Sequence, residues 1–243
     1  MSLNIYFPHT PSNNHLRDLT NLLDDGILVY IGDDAPDDYH VLISGRPTKA
    51  QLDASPDLHT LIIPFAGLPA ETRKLMRDYP QVAVYNLHHN ATATGEMALA
   101  LMFACARLLV PADRDMRRHD WTSRYKPSPQ IVLSDKTVLI LGYGSIARSI
   151  SPTLKAMGMN VLGVRRSVAD PDQPDQGIYS ISSLHELLPK AQVLLVTLPA
   201  TDETSGIMGK DEFELLPQDA IVVNVGRAQV IDQHAFYDAL KSG

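Results

Sequence analysis

Short apolar runs alternate with amphipathic stretches through the first part of the chain. The runs are rich in β-branched and aromatic residues, which is typical of strands. They are NIYF (4–7), ILVYI (27–31), VLIS (41–44), TLIIPF (60–65) and VAVYNL (82–87), with predicted helices between them at 13–24, 48–53 and 70–78. This alternation of strands and helices predicts a parallel sheet with helices on its faces.

A second alternation begins near residue 137, and its strands are almost entirely apolar. The predicted strands are TVLILG (137–142), NVLGVR (160–165), a short strand near 178–181, VLLVTL (193–198) and AIVVNVG (220–226), and the predicted helices are 145–158, 182–189, 210–216 and 232–242. Strands without polar alternation are typical of a parallel sheet that helices cover on both faces. The chain is therefore predicted to contain two α/β domains.

Two consecutive helices are predicted between these alternations, at 93–109 and 111–120. The first contains the run MALALMFACARLLV, which is shorter than the ~18 apolar residues of a membrane span and includes Arg107, so we expect a buried helix. Cys105 in this run is expected to be a buried structural thiol. The second helix begins with Pro111 and suits a connection between domains.

Composition and charge exclude several classes of ligand. Hydrophobic residues make up 44% of the 243 residues and charged residues 20%, which is typical of a folded soluble domain. The net charge is −7 and there is no basic run, which argues against nucleic-acid and anionic-membrane partners. No histidine or cysteine cluster has zinc-ligand spacing, and no signal-peptide pattern begins the chain. We therefore expect a cytoplasmic protein with a small-molecule ligand.

The clearest chemical signal is the turn LGYGSIA at 141–147, which follows an apolar strand and opens a helix. In this context the glycine pattern is typical of a dinucleotide-phosphate site, and incidental glycines in a βα turn are the alternative. Gly142 permits the tight turn, and Gly144 lets the backbone approach a pyrophosphate. Free N–H groups and the helix dipole would then bind the anion. The residues predicted to bind the phosphates are Tyr143, Gly144, Ser145 and Ile146.

The end of the next strand indicates which dinucleotide is bound. An acidic residue is expected there when the cofactor is NAD, because a carboxylate binds the ribose hydroxyls. The chain instead has Arg165, Arg166 and Ser167, a set suited to the 2′-phosphate of NADP. We predict that NADP is preferred over NAD. The alternative is that both arginines are solvated charges at a strand end.

Ordered segments along the whole chain carry a family resemblance. They are PFAGLP (64–69), NATATGEMALALMFACAR (90–107), DRDMRRHDW (113–121), LGYGSIA (141–147), LPATDETSGI (198–207) and NVGRAQVIDQHAFYDALKSG (224–243). Together they resemble the D-isomer-specific 2-hydroxyacid dehydrogenase family, especially its glyoxylate/hydroxypyruvate reductase and glycerate dehydrogenase members. The resemblance implies an α/β chain with a flavodoxin-like substrate domain at 1–98 and a Rossmann-type, doubly wound cofactor domain at 99–243, both incomplete at the C-terminus. It also implies hydride transfer between NAD(P)H and a small 2-oxo or 2-hydroxy acid, such as glyoxylate or hydroxypyruvate, by a homodimer joined through the cofactor domain.

The resemblance also implies roles for individual residues. Backbone N–H groups of Ala66, Gly67 and Leu68 would bind the substrate carboxylate. Arg227, as the catalytic residue, would bind the carboxylate and polarise the keto oxygen, whereas an ordinary strand-end arginine is the alternative. Further cofactor contacts are implied for Thr94, Leu198, Pro199, Thr204, Val225 and Gly226. Helix capping is the alternative for the threonine at 94, and strand-end packing is the alternative for Leu198, Pro199 and Thr204.

His88, His89 and Asn90 form a polar cluster at a strand end, where they could act on the substrate or simply satisfy the loop backbone. The family completes hydride transfer with a histidine acid/base and an orienting glutamate, both downstream of the arginine segment, and the chain ends at Gly243 before either. Three explanations follow: a fragment of a longer enzyme, a truncated product that only binds cofactor, or a substitute histidine at 88 or 89. We favour the first. A non-enzymatic NAD(P)-sensing protein on the same fold is the competing class.

Overall fold

The structure, a computed structural model, describes residues 2–9, 13–87, 89–166 and 177–242. The chain divides into two compact units, residues 1–90 and 91–243. Within the described residues, each unit is an α/β structure built on a five-stranded parallel sheet. The predicted boundary at 98–99 lies inside the helix Ala91–Ala106, whereas the structure divides at the start of that helix.

The first unit has the strand order β2-β1-β3-β4-β5, which is the order of flavodoxin-like sheets. Its strands are β1 (Leu3–Phe7), β2 (Ile27–Ile31), β3 (Val41–Ile43), β4 (Thr60–Ile63) and β5 (Ala83–Asn86), and its helices are α1 (Asn13–Leu22), α2 (Lys49–Asp53) and α3 (Ala70–Leu75). In the core of this unit, Tyr6, Leu42, Leu61 and Ile63 are fully buried. The rings of Tyr6 and Tyr39 lie 5.2 Å apart, and burial raises the pKa of Tyr39 to about 12.

The second unit has the strand order β10-β9-β6-β7-β8, so the chain extends the sheet from β6 first in one direction and then in the other. Its strands are β6 (Thr137–Leu141), β7 (Asn160–Arg165), β8 (Ile178–Ser180), β9 (Val193–Val196) and β10 (Ile221–Asn224). Its helices are α4 (Ala91–Ala106), α5 (Leu109–Arg117), α6 (Ser145–Ala156), α7 (Leu184–Leu187), α8 (Lys210–Leu215) and α9 (Gln233–Ser242). This order is the five-strand part of a Rossmann sheet, and the reversal between β6 and β9 is its topological switch point.

Local sequence explains the elements around that switch point. The adjacent strands β6 and β9 are buried along nearly their whole length, as their unbroken apolar runs predict. On α6, Ala147, Ile150, Ser151 and Leu154 are buried at helical spacing, while Arg148 between them is exposed. The helix therefore covers the sheet with one face and presents the other to solvent.

The prediction of one long buried helix at 93–109 is wrong in two respects. α4 ends at Ala106, and Leu108 adopts a left-handed conformation (φ 52°) before α5 begins. One face of α4 is buried, made by Gly95, Ala98, Met102 and Ala106. Cys105, predicted to be buried, is exposed together with Met97 and Leu101. The physical reason is that α4 packs on α6 and β10 along that one face, so its outer apolar side chains have no core to enter.

α5 also differs from the prediction. It covers Leu109–Arg117, so Pro111 is its third residue, in the first turn of the helix, where a missing N–H breaks no helical hydrogen bond. By length and composition, no described helix could cross a membrane alone; α4 and α5 meet that criterion only when taken together across a 65° bend.

The crossing of α4 and α6 yields a stability prediction. A Cβ on Gly95 would lie 2.5 Å from Cγ2 of Ile150 and 2.9 Å from Oγ of Ser149. Helix propensity alone would make Gly95→Ala stabilising by roughly 1 kcal/mol. Because the branched methyl of Ile150 cannot rotate away at low cost, we expect instead that the free energy of unfolding falls by about 1–3 kcal/mol in urea denaturation. In an Ile150→Ala background the same substitution should be neutral or stabilising. A stabilised Gly95→Ala single variant would contradict this packing.

Candidate functional site

The carboxyl ends of β6, β9 and β10 meet at one edge of the second sheet, beside the switch point. Leu198, which follows β9, lies between the turns that follow the other two strands. A Cβ on Gly142 would come within 2.9 Å of the Leu198 side chain, and a Cβ on Gly226 within 2.5 Å of the Leu198 carbonyl oxygen. Both turns therefore need glycine, and three of the predicted cofactor-binding segments lie side by side.

The turn after β6 has the geometry of an anion site. Gly142 has a φ of 104°, in the left-handed region that favours glycine, and the N–H groups of Gly142 and Tyr143 donate to the Val164 carbonyl at 3.0 and 2.8 Å. Gly144 is the N-cap of α6, and apart from its own atoms and those of its two chain neighbours, no described atom lies within 4 Å of the position that its Cβ would take. No described side chain caps the first turn of α6, so the N–H groups that begin this helix remain available to a ligand.

This turn fits the pyrophosphate of a dinucleotide. A side chain at Gly144 would fill the open volume beside the helix terminus, and glycine leaves that volume to a phosphate. The dipole of α6, a helix of 12 residues, adds positive potential there. The predicted phosphate-binding residues Tyr143, Gly144, Ser145 and Ile146 thus belong to one turn. The N–H of Tyr143 donates to the Val164 carbonyl and that of Gly144 to the Gly142 carbonyl at 2.8 Å, so the N–H groups at the start of α6, from Ser145 onwards, are those that would hold the phosphates.

The predicted ribose-phosphate residues follow β7. Arg165 is the last residue of that strand and Arg166 comes next, and both side chains are exposed. They come directly after Val164, whose carbonyl accepts both N–H groups of the phosphate turn. Two guanidinium groups therefore follow the residue that anchors the turn. Ser167 lies outside the described residues.

Arg227 lies in a turn after β10 that Asn224 closes. The Asn224 amide donates to the Arg227 carbonyl at 3.1 Å, and its Oδ1 accepts the N–H of Gly226 at 2.9 Å. The Val225 N–H donates to the Val196 carbonyl at 3.0 Å, which continues the pairing of β10 with β9. The exposed guanidinium of Arg227 donates to the Gly226 carbonyl at 3.1 Å. The two hydrogen bonds of the Asn224 side chain thus hold the backbone of the turn, and the guanidinium of Arg227 is exposed.

The segment after β9 is closed by Thr204. Its hydroxyl donates to the Pro199 carbonyl at 2.6 Å and accepts the N–H of Thr201 at 2.8 Å. Thr197 Oγ1 donates to the Gly142 carbonyl at 2.6 Å, which ties this segment to the phosphate turn. The hydroxyl of Thr204 therefore holds the 199–204 loop in shape, and its contact with a phosphate stays a prediction, as do those of Leu198 and Pro199.

Thr94 and the histidine cluster lie near the start of α4. Because α4 begins at Ala91, Thr94 lies in its first turn, half-buried, and is not the N-cap residue. Its contact with the cofactor stays a prediction. His89 and Asn90 are exposed in the turn that precedes α4 in the chain, and His88 lies outside the described residues.

The predicted carboxylate-binding loop of the first unit follows β4 and is held from two sides. Asn86, the last residue of β5, donates from Nδ2 to the Ala66 carbonyl at 2.9 Å. The ring of Phe65 packs on Gly45, where a Cβ would overlap it. Since the peptide bond between Ala66 and Gly67 is planar and trans, the Gly67 N–H points away from Asn86. An N–H group predicted to bind substrate therefore has a fixed direction.

Sequence reasoning did not select the asparagines that hold these turns. Asn224 carried a usable signal, because an asparagine two residues before a glycine at a strand end is typical of an Asx turn. Asn86 carried only the weaker signal of a polar residue at a strand end, since its partner Ala66 is 20 residues away. Both act on backbone groups of predicted binding residues.

Comparison with known proteins agrees with this geometry. Residues 99–243 match the family model described as D-isomer specific 2-hydroxyacid dehydrogenase, NAD binding domain. The D-3-phosphoglycerate dehydrogenase of Archaeoglobus fulgidus is 34% identical over 154 residues, covering 63% of this chain and 29% of that protein. The glyoxylate reductase of Aeropyrum pernix is 35% identical over 156 residues, covering 62% and 46%. The glycerate dehydrogenase of Methylorubrum extorquens is 28% identical over 208 residues, covering 83% and 63%. The chain spans less than two thirds of the length of each of these relatives.

Solved structures share the fold. A D-isomer specific 2-hydroxyacid dehydrogenase family protein from Aeromonas salmonicida superposes with a TM-score of 0.80 at 23% identity, covering 100% of this chain and 79% of that one. The D-isomer specific 2-hydroxyacid dehydrogenase of Xanthobacter autotrophicus Py2, in complex with NADPH and MES, gives a TM-score of 0.80 at 22% identity, covering 100% and 78%. The predicted fold class, two α/β domains of which one is of Rossmann type, is confirmed. With the family model matching more than half of its residues, the chain belongs to the D-isomer-specific 2-hydroxyacid dehydrogenase family.

Proposed function

We propose that this protein is an NAD(P)-dependent oxidoreductase that interconverts a small 2-oxo acid, such as glyoxylate or hydroxypyruvate, and its D-2-hydroxy acid. The observation that carries the proposal is the turn after β6, where Gly144 leaves open volume beside the uncapped start of α6 at the switch point. The names of the matched glyoxylate reductase and glycerate dehydrogenase support this substrate class. When bound, the dinucleotide would supply or accept the hydride.

Arg227 is proposed as the residue that binds and polarises the substrate. Its planar guanidinium can hold a carboxylate in bidentate fashion and can also donate to the adjacent keto oxygen, which draws electron density from the carbonyl carbon. The fixed turn between Asn224 and Arg227 supports this role, because a backbone held at both ends limits where the guanidinium can reach. In the family, a histidine oriented by a glutamate, both downstream of this segment, supplies the proton.

The loop Ala66–Leu68 is proposed to bind the substrate carboxylate through its backbone N–H groups. Support comes from its hydrogen bond with Asn86, which sets the direction of the Gly67 N–H. A preset N–H binds an anion at lower entropic cost than a mobile loop would.

NADP is proposed as the preferred cofactor, with NAD as the alternative. The exposed pair Arg165 and Arg166 at the end of β7 supports the preference, because guanidinium groups bind phosphate dianions strongly. The NADPH bound by the Xanthobacter autotrophicus protein, which has the same fold, agrees with this choice.

A homodimer through the second unit is also proposed. α4 and α5 carry exposed apolar side chains, namely Met97, Leu101, Phe103, Leu109, Val110 and Met116. Large exposed apolar surfaces are typical of interfaces, and a second copy would supply the burial that the sequence pattern of α4 indicates. The cytoplasmic location and the lack of a nucleic-acid partner stay predictions.

The cofactor preference is tested with Arg165→Ala/Arg166→Ala. We expect the Kd for NADPH to rise by roughly 10- to 100-fold, which is about 1.4–2.8 kcal/mol and corresponds to the loss of about one charge-assisted hydrogen bond by the exposed pair, and the Kd for NADH to stay within about twofold. Fluorescence titration of each reduced cofactor measures both. The matched control is Arg117→Ala/Arg118→Ala at the C-terminal end of α5, which removes the same charge from exposed positions and should change neither Kd. Equal affinity of the unaltered protein for the two cofactors would contradict the preference.

The proposed reaction is tested by following NADPH consumption with glyoxylate or hydroxypyruvate, in a protein that includes the family's downstream histidine and glutamate. For Arg227→Ala we expect kcat/KM to fall by about 10²–10³, because a preorganised donor to the developing oxyanion is lost, with the Kd for NADPH unchanged. Arg227→Lys keeps the charge without the planar fork and should recover only part of the loss.

The outcomes of this assay separate the candidate functions. Unchanged turnover in Arg227→Ala removes Arg227 from the mechanism. Cofactor binding without turnover, in a protein that includes the downstream histidine and glutamate, favours an NAD(P)-binding protein over an enzyme. Failure of the unaltered protein to bind either dinucleotide would overturn both functions.

The role of the first unit is tested at Asn86. In Asn86→Ala the Ala66 peptide loses a donor, so we expect the KM for the 2-oxo acid to rise about tenfold, with little change in the Kd for NADPH. Asn86→Asp has nearly the same size but cannot donate, and it should raise KM at least as much. Asn160→Ala, which removes an exposed amide at the start of β7, is the control and should leave KM unchanged. A normal KM in Asn86→Asp would show that this bond does not position the loop.

A further inference from the structure

Tyr143 lies between the two glycines of the phosphate turn, and its half-buried side chain packs against the core of the unit. Its ring packs on Gly163 in β7, where a Cβ would lie 2.9 Å from Cγ of the ring and would overlap Cδ2. A glycine inside a strand normally weakens the strand and marks a close approach of other atoms. The approaching atoms are those of Tyr143, because the missing side chain of Gly163 leaves room for the ring. We call this contact between the ring and Gly163 the seat of Tyr143.

The hydroxyl of Tyr143 makes a second connection. It donates to Oγ of Ser151 at 2.9 Å, and the Ser151 hydroxyl donates in turn to the Ala147 carbonyl at 2.7 Å. Ser151 is buried, 4% exposed, so the bond from Ser151 to the Ala147 carbonyl is shielded from water. The turn is thereby joined to the first turn of α6, the part of the helix whose free N–H groups would bind phosphate.

The backbone of Tyr143 makes a third connection. Its N–H and that of Gly142 both donate to the Val164 carbonyl, and Val164 directly follows Gly163 in β7. The main chain and the side chain of Tyr143 therefore attach the turn to the same stretch of β7. Without these attachments, a turn flanked by two glycines would have much conformational freedom to lose when a ligand binds.

We propose that Tyr143 is a positioning residue for cofactor binding: its ring on Gly163 and its hydroxyl on Ser151 hold the phosphate turn in the conformation that receives a pyrophosphate. The inference rests on the proposed binding of a dinucleotide. It adds a role for side chains that do not touch the ligand. Preorganisation of this kind raises affinity because the ordering cost is met during folding rather than at binding.

The test compares two ligands that share adenosine and differ in the pyrophosphate and the second ribose. ADP-ribose contains it, whereas adenosine lacks every phosphate, and ligand-observed NMR measures both affinities. In Gly163→Ala the new Cβ displaces the Tyr143 ring, so we expect the Kd for ADP-ribose to rise about tenfold, the equivalent of 1.4 kcal/mol. The Kd for adenosine should stay within about twofold, because the turn contributes little to that ligand. In Tyr143→Phe, which loses only the hydroxyl bond, the Kd for ADP-ribose should rise about fivefold.

A double substitution tests the seat itself. Tyr143→Leu removes the ring, and in that background the Cβ of Gly163→Ala enters the vacated space. We expect Tyr143→Leu/Gly163→Ala to bind ADP-ribose no more weakly than Gly163→Ala alone. If the affinity losses of Tyr143→Leu and Gly163→Ala simply add in the double variant, the two positions are not in contact and the inference is contradicted.

Matched controls separate positioning from general damage. Gly209→Ala makes the same change at the N-cap of α8, where the nearest atom to the new Cβ is the flexible carboxylate of Glu212 at 3.2 Å. Tyr237→Phe removes a hydroxyl from an exposed ring on α9. Both should bind ADP-ribose like the unaltered protein.

The possible failures are distinguishable. Failure of the unaltered protein to bind either ADP-ribose or NADPH overturns the proposed function, and this inference with it. Binding by the unaltered protein with no loss in Gly163→Ala overturns this inference alone. If Gly163→Ala loses affinity equally for ADP-ribose and adenosine and has a lowered Tm, Tyr143 only supports the fold and the inference is overturned.

Discussion

The close approach of three chain segments at the carboxyl edge of the second sheet is the constraint on which the cofactor site depends. Leu198 occupies the space between the turns after β6 and β10, and glycine at 142 and 226 allows the backbones to come this near. A side chain at either glycine would push its turn outward. The positions of the phosphate turn and of the Arg227 turn are therefore coupled through Leu198, although the two turns are far apart in sequence.

Elements whose pattern reflects burial on both faces could be predicted from the sequence. β6 and β9 are unbroken apolar runs, and they are the buried centre of the second sheet. α4 could not be predicted fully, because a helix that is apolar all round does not indicate which face meets the core. The exposure of Cys105 could not be predicted for that reason. The break between α4 and α5 was also missed, because the residue with the left-handed conformation there is Leu108 and not a glycine.

The features of the candidate site also differ in how well the sequence predicts them, because some depend on neighbouring residues and others on residues far apart in the chain. The phosphate turn was predictable because its strand, glycines and helix start are consecutive in the chain. The contacts that hold the binding turns join residues far apart in sequence, as Asn86 does with Ala66. Gly163 indicated from sequence that something approaches β7, but the identity of Tyr143 as that neighbour depends on the register of the fold.

The seat of Tyr143 on Gly163 has a consequence for how cofactor use could change during evolution or design. The arginine pair after β7 bears on which dinucleotide is chosen, whereas the seat bears on how rigidly the phosphate turn is presented. The choice between the two dinucleotides and the affinity for their pyrophosphate would then depend on different residues in and beside β7. Either property could then be adjusted while the other is kept.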